Sequence, residues 1–180
     1  MNSNSTIQLP RPTAILWDLD GTLIDQTAAI IRCYREVIVD MSYAQPNDDV
    51  IRRSLGGVMA ATMGLFVESE HMDEACKAFR KRCPEIMFDG LILLAGGIEL
   101  IERVYKARIP QVIFTNKHGD TARIVSRYAG FAKYIPICIG GADTQWHKPQ
   151  LALTQHVLDQ IEVSAKGSII IGDSPTDIAV

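Results

Sequence analysis

The sequence predicts an α/β protein built on a doubly wound parallel sheet, with one inserted segment that is all helical. From residue 96 onward, short apolar runs alternate with segments of helical spacing, a pattern typical of βαβ units. Residues 27–89 show helical spacing and no convincing strand. The 180 residues are 47% hydrophobic and 22% charged, which is an ordinary composition for a globular protein and allows a sizeable core.

The first predicted strand is Ala14-Ile15-Leu16-Trp17, and it runs directly into Asp18-Leu19-Asp20-Gly21. Side chains alternate between the faces of a strand, so Asp18 and Asp20 would share one face if the strand continued through both. Two carboxylates so close repel each other unless a cation or a proton lies between them. Taken alone, the same residues are also compatible with a strand that ends in a polar turn.

Four helices are expected between the first strand and residue 89. The apolar spacing places them at 27–41, 50–55, 58–67 and 72–82, the last ending near Pro84. A turn at 46–49 precedes the second helix, and Gly56-Gly57 interrupts the chain after it.

The remaining elements alternate. Helices are expected at 98–107, 120–129 and 149–161, and strands at 110–114, 135–139 and 168–172, with Pro136 at the start or on the edge of its strand. Thr115-Asn116-Lys117 follows the second strand and Asp173 follows the last. Ligands of parallel sheets bind beyond the carboxyl ends of the strands, so three polar clusters are expected at one rim.

Charge and cysteine usage exclude several classes of protein. A net charge of −3 and a pI near 5.8 argue against a nucleic-acid partner. The four cysteines form no C-x-x-C pair and are interpreted as reduced thiols of a cytoplasmic protein. Residues 1–12 lack the apolar region of a targeting segment, and no run approaches the roughly 20 apolar residues of a membrane span.

Four ordered motifs resemble those of the haloacid dehalogenase superfamily of hydrolases. They are Asp18-Leu19-Asp20-Gly21-Thr22, Thr115-Asn116, Lys148-Pro149 and Gly172-Asp173-Ser174-Pro175-Thr176-Asp177. Each is weak alone, but four in order at the ends of predicted elements are specific. The resemblance covers about residues 13–180. It implies a Rossmann-like core of residues 13–26 and 90–180 and a helical cap of residues 27–89.

The resemblance also implies a chemistry for the acidic residues. Asp18 would be the nucleophile that attacks a phosphoryl group and forms an aspartyl-phosphate. Asp20, a second acid that the dehalogenases lack, would protonate the leaving oxygen and then remove a proton from the attacking water. Asp18, Asp173 and the backbone carbonyl of Asp20 match the family's Mg²⁺ ligands, with Asp177 as an outer support.

The other motif residues match groups that bind phosphate. Thr115 and the Asn116 amide match phosphoryl hydrogen-bond donors, and Lys148 matches the cation that stabilises developing charge. Each also has a plain structural interpretation as a turn residue or a solvated charge at a helix start. The plain interpretations do not explain why all the motifs occur in this order.

Substrate choice is expected to depend on the cap. Arg52, Arg53, Gly56 and Gly57 form a basic helix end and a loop, which resembles the place where capped members contact the leaving group. A guanidinium there would bind a carboxylate or a second phosphate. The expected partner is a small phosphorylated organic acid or sugar, as for phosphoglycolate phosphatases.

Three other functions remain open at this point. A β-phosphoglucomutase-like phosphomutase would share all four motifs, and a regulatory module would keep the fold but turn over poorly. A phosphonate hydrolase is disfavoured because no cap lysine is placed for a Schiff base. Members of the family continue past the fourth motif with the rest of a helix and a further strand, so we expect an incomplete outer edge of the sheet near Val180.

Overall fold

A four-stranded parallel sheet lies at the centre of the protein, in a computed structural model that describes residues 10–180. The strands are β1 (Ile15–Trp17), β2 (Ile24–Asp25), β3 (Ile92–Leu93), β4 (Gln111–His118), β5 (Cys138–Gly141) and β6 (Ile169–Ile171). The central sheet has the order β5-β4-β1-β6, and β2 pairs antiparallel with β3. The segment predicted to lack a targeting signal is residues 1–12. Of these, residues 1–9 lie outside the described part of the chain.

Helices cover both faces of this sheet. They are α1 (Thr27–Asp40), α2 (Asp48–Ser54), α3 (Met59–Met63), α4 (Met72–Ile86), α5 (Gly97–Lys106), α6 (Gly119–Tyr128), α7 (Leu151–Gln160) and α8 (Pro175–Ile178). Short 3₁₀ turns lie at Ser69–His71 and Phe131–Lys133.

The strand side chains divide between two apolar clusters, as period-two alternation requires. Ile15, Trp17 and Ile113 pack in one cluster with residues of α5 and α6. Leu16 and Phe114 pack in the other with residues of α7. Because both faces are buried beneath helices, the prediction of a doubly wound α/β fold is confirmed.

The helical segment α1–α4 lies in the chain between β2 and β3. These two strands pair antiparallel, so the two ends of the segment lie close together. Within it, α1 packs against α4, with the rings of Tyr34 and Phe79 centred 4.4 Å apart. Its apolar residues belong to the same cluster as Trp17 of the sheet. The division at residues 26/27 and 89/90 into core and cap stays a prediction.

Four elements differ from their predicted bounds by more than two residues. Strand β4 continues to His118 and so contains Thr115, Asn116 and Lys117, which were predicted to follow a strand ending at 114. Helix α4 continues through Pro84 to Ile86, because the burial of Cys83 and Ile86 outweighs the hydrogen bond that proline cannot donate. Helix α3 spans five residues rather than the ten expected from 58–67. Strand β5 starts at Cys138, after Pro136, whose nitrogen has no hydrogen for a ladder bond.

Strand β6 is an outer strand of the sheet, paired with β1 alone among the described strands. Ile169 of β6 is 44% exposed. Within residues 10–180, every helix is too short or too polar to cross a lipid bilayer.

Candidate active site

The predicted polar clusters meet at the carboxyl edge of the central sheet. Asp18 follows β1 directly, Asp173 lies just beyond β6, and Thr115 lies in the C-terminal half of β4. All three line a cavity of about 520 Å³, together with Asp20 and Asn116. The arrangement follows from parallel pairing, because β1 sits between β4 and β6 and all three strands end on the same side.

Lys148 is buried between two carboxylates next to this cavity, and it is not among the residues that line it. Its Nζ lies 2.9 Å from Asp18 Oδ1 and 2.5 Å from Asp177 Oδ1. Its side chain is only 1% exposed. Burial raises the pKa of Asp18 to about 6, although the Lys148 ammonium acts in the opposite direction. One lysine therefore faces two carboxylates in a poorly solvated place.

Asp177 is held from two sides. Its Oδ2 accepts hydrogen bonds from the backbone N–H of Ser174 at 3.0 Å and from the Ser174 hydroxyl at 2.6 Å. The first of these, together with the Asp177 N–H that the Ser174 side chain accepts, forms a capping box on α8. Burial acts to raise the pKa of Asp177, but the bonds from Lys148 and Ser174 outweigh it and leave that pKa below its usual value. Both oxygens are thus engaged by the protein, consistent with an outer supporting position.

Carboxylate oxygens of Asp18, Asp173 and Asp177 all lie within 4.8 Å of one another. Gly21 makes this approach sterically permissible: its φ is +83°, and a Cβ there would lie 2.2 Å from Asp173 Oδ2. Several hard oxygen donors beside a single ammonium leave an excess of negative charge. The donor set fits a small divalent cation such as Mg²⁺.

Asp20 does not lie on a continuation of strand β1, in contrast to the geometry considered from the sequence. Strand β1 ends at Trp17, and Asp20 forms an isolated bridge with Ile24 in the turn that follows. Its carboxylate accepts two hydrogen bonds from Lys117 Nζ, at 3.1 and 3.0 Å. Asp18 and Asp20 nevertheless line the same cavity.

Thr115 and Asn116 occupy an irregular stretch of β4. Thr115 is buried and lines the cavity, and its hydroxyl accepts the Lys117 N–H at 3.2 Å. The Asn116 Oδ1 accepts the Lys148 N–H at 2.8 Å, while Nδ2 donates to the carbonyls of Lys148 and Gly56 at 3.2 and 3.1 Å. The Asn116 side chain therefore ties β4 to the loops that contain Gly56 and Lys148, and its role as a phosphoryl donor stays a prediction.

The predicted cap residues separate into two groups. Arg52, Gly56 and Gly57 line the cavity, whereas Arg53 is not among the lining residues. Gly56 has φ +95°, a backbone conformation that favours glycine, and its carbonyl also accepts a hydrogen bond from Thr176 Oγ1 at 3.3 Å. The cap loop thus touches β4 at Asn116 and α8 at Thr176 directly.

Sequence reasoning placed Lys117 at the rim but gave it no role, and it missed the contact of Thr176 with the cap loop. The uninterrupted run Thr115-Asn116-Lys117 was the available signal for Lys117. Its pairing with Asp20, 97 positions earlier in the chain, depends on strand register and is not visible in the run itself.

Comparison with known proteins agrees with this geometry. A sequence profile of the haloacid dehalogenase-like hydrolases matches residues 15–180. The chain is 27% identical to a phosphoglycolate phosphatase of Rhodospirillum rubrum, over 93% of this chain and 74% of that protein. It is 25% identical to a phosphorylated carbohydrates phosphatase of Thermotoga maritima, over 92% of this chain and 78% of that protein.

A solved structure shows the same fold. A haloacid dehalogenase-like family hydrolase of Streptococcus pneumoniae superposes with a TM-score of 0.82 at 22% identity, over 93% of this chain and 78% of that chain. The family profile spans almost the whole chain and includes all four motifs. This protein therefore belongs to the haloacid dehalogenase-like hydrolases.

Proposed function

We propose that the protein is a Mg²⁺-dependent phosphatase that hydrolyses a small phosphorylated metabolite through an aspartyl-phosphate. The observation that carries the proposal is the Asp18 carboxylate, which lines the cavity with an ammonium 2.9 Å away and further carboxylates beside it. Two relatives are named as phosphatases of phosphoglycolate and of phosphorylated carbohydrates, which supports the same class of substrate.

Asp18 is the nucleophile in this proposal. One of its oxygens attacks phosphorus, the bond from phosphorus to the leaving oxygen breaks, and an acyl phosphate forms. Its ionised form is required, so the pKa of about 6 that burial imposes leaves most of the carboxylate ionised at neutral pH. Lys148 maintains that ionisation and holds the attacking group in place.

Asp20 supplies and removes the protons. In the first step it protonates the departing oxygen, and in the second it accepts a proton from the water that cleaves the acyl phosphate. Its side chain is 30% exposed, which gives it access to both the substrate and solvent. The buried Thr115, which lines the cavity, would donate its hydroxyl to a phosphoryl oxygen. Lys148, 2.9 Å from the Asp18 carboxylate, would stabilise the charge that develops on the phosphoryl group.

Asp18, Asp173 and the Asp20 carbonyl would hold Mg²⁺, with Asp177 behind them. When bound, the ion would neutralise the repulsion between a carboxylate nucleophile and a phosphate dianion. The carboxylate oxygens of Asp18 and Asp173, which lie within 4.8 Å of each other and of Asp177, support the two carboxylate ligands of this assignment.

The leaving group would lie toward α2 and the cap loop. Arg52 lines the cavity and its side chain is 59% exposed, with Asp49 4.0 Å away as a distant partner. A guanidinium so weakly paired favours substrates with a second negative charge, such as a small phosphorylated organic acid. Arg52→Ala should raise KM for acidic substrates, and Arg53→Ala, away from the cavity, is the matched control.

The test is Mg²⁺-dependent release of inorganic phosphate from an aryl phosphate, compared between the wild type and Asp18→Asn. We expect the variant to lose at least about 10³-fold in kcat, because the nucleophile is gone. Equal rates for both proteins would refute the proposal. A panel of phosphorylated acids and sugars would then define the substrate, and product analysis would separate hydrolysis from isomerisation of a hexose phosphate.

We also propose a cytoplasmic location. All four cysteines are free thiols in the structure, and three of them are buried. Unpaired buried thiols are typical of reducing compartments.

A further inference from the structure

Lys117 makes the most specific unexplained contact of the cavity. Its Nζ donates to both oxygens of Asp20, at 3.1 and 3.0 Å. Bonds to both oxygens fix the plane of the carboxylate as well as its position. The Lys117 side chain is 8% exposed, so this pair is far less screened by water than a surface ion pair.

In the part of the chain that the structure describes, no other group donates a hydrogen bond to the Asp20 carboxylate. Within residues 10–180, Lys117 is the only hydrogen-bond donor to the Asp20 carboxylate, and Asp20 is the only acceptor for Lys117 Nζ. Asp20 itself lies in a turn after β1 and has no regular strand to hold it. The orientation of its side chain therefore depends on Lys117.

The backbone of Lys117 is fixed by an irregularity in β4. Phe114 pairs with Ile139 and His118 pairs with Gly141, so four steps along β4 match two along β5. The residues between these pairs, 115–117, line the cavity, and bulges are known to redirect side chains near active sites. The bulge includes Lys117, whose N–H is bonded to the Thr115 hydroxyl.

Strand β5 makes room for this bulge with two glycines. A Cβ on Gly140 would lie 2.5 Å from the Lys117 carbonyl oxygen, and a Cβ on Gly141 would lie 2.7 Å from the Asn116 carbonyl oxygen. Close packing on this side leaves the bulge little freedom to shift. Lys117 is thus held by a tightly packed strand, and it donates hydrogen bonds to a carboxylate that lies on a turn.

We propose that Lys117 is a positioning residue, which holds the Asp20 carboxylate where it meets the leaving oxygen of the substrate. The inference rests on the proposed function. A substitution of Lys117 should therefore slow the reaction most for substrates whose leaving oxygen needs a proton. An alkoxide leaves poorly without protonation, whereas 4-nitrophenolate leaves readily without it.

The experiment compares the two kinds of ester in a single turnover. The variants are Lys117→Met, Asp20→Asn and the double variant, each with Mg²⁺ and excess enzyme, on 2-phosphoglycolate and on 4-nitrophenyl phosphate. For Lys117→Met we expect release of the alkyl leaving group to slow by about 10- to 100-fold, a part of the full contribution of a general acid. Release of 4-nitrophenolate should stay within about threefold of the wild type.

Two further results are expected if Lys117 acts through Asp20. The double variant should be no slower than Asp20→Asn alone, because the positioning residue has nothing left to position. Lys117→Arg should recover most of the alkyl rate, because arginine can also donate to both carboxylate oxygens. If Lys117→Met does not fold, Lys117→Gln, with the same expected difference between the esters, replaces it.

Three outcomes would overturn the inference. They are equal slowing of both esters in the first turnover, a double variant slower than Asp20→Asn by the full Lys117→Met factor, and a change confined to the enzyme concentration that gives half the maximal single-turnover rate on the acidic ester. The last would assign Lys117 to substrate binding. Failure of the phosphatase proposal looks different, because the wild type and Asp18→Asn would then release phosphate at the same rate.

Discussion

Replacing Asp18 with Asn should stabilise the metal-free protein at neutral pH. Burial raises the pKa of Asp18 from 3.8 to about 6, so the desolvation of its charge outweighs the attraction of Lys148. Each pH unit by which a pKa moves is worth about 1.4 kcal/mol, so ionised Asp18 destabilises the folded state by about 3 kcal/mol relative to its protonated form. Asparagine removes that charge, and Lys148 keeps Asp177 as its partner.

The sign of the effect depends on pH. Below pH 3.8 Asp18 is protonated in the folded and unfolded states, so it causes no loss of stability. Between 3.8 and about 6 the unfolded chain has lost the proton that the folded state retains, and stability falls as pH rises. Above about pH 6 the loss of stability is complete and no longer changes with pH.

The assay is urea denaturation in the presence of a chelator, at about pH 4 and about pH 7.5. The difference in free energy of unfolding between Asp18→Asn and the wild type should be near zero at the lower pH and about 3 kcal/mol in favour of the variant at the higher one. A variant that is less stable at the higher pH, or a difference that does not change with pH, would contradict the reasoning.

Three further predictions follow from the same site and its support. Excess Mg²⁺ should raise the thermal midpoint at neutral pH, and this protection, measured by thermal denaturation across pH, should decline below about pH 6 as protons compete for Asp18. Gly21→Ala should lower both kcat and stability, because its φ is +83° and the new Cβ would clash with Asp173; activity assays and urea denaturation would show this. Trp17→Phe removes the buried 2.9 Å hydrogen bond from the indole to Gln111 Oε1 and should cost about 1–3 kcal/mol in urea denaturation, with kcat retained in folded protein.

The sequence predicted the elements that depend on local pattern. The run before Asp18 is apolar and the chain turns at Gly21, so the end of β1 and the identity of its acids could be inferred from neighbouring residues. The same holds for Asp173 at the end of β6. Parallel order then brings both to one rim, and the doubly wound α/β fold and the family resemblance were confirmed.

Features that depend on contacts distant in sequence could not be predicted. Asn116 bonds to Gly56, 60 positions away, and Lys117 bonds to Asp20 from the segment of β4 whose register shifts against β5. The raised pKa of Asp18 likewise depends on burial by the assembled core. The roles of the site residues themselves stay predictions until the variants are measured.

The glycines at the tip of β5 limit which sequences this site can tolerate. Neither Gly140 nor Gly141 has a side chain to offer a substrate, yet each leaves a carbonyl of the β4 bulge in the space that a methyl group would occupy. Mutational scanning for activity should therefore find both positions intolerant even of alanine. Substitutions selected to alter substrate preference should accumulate in the cap, while β5 stays unchanged.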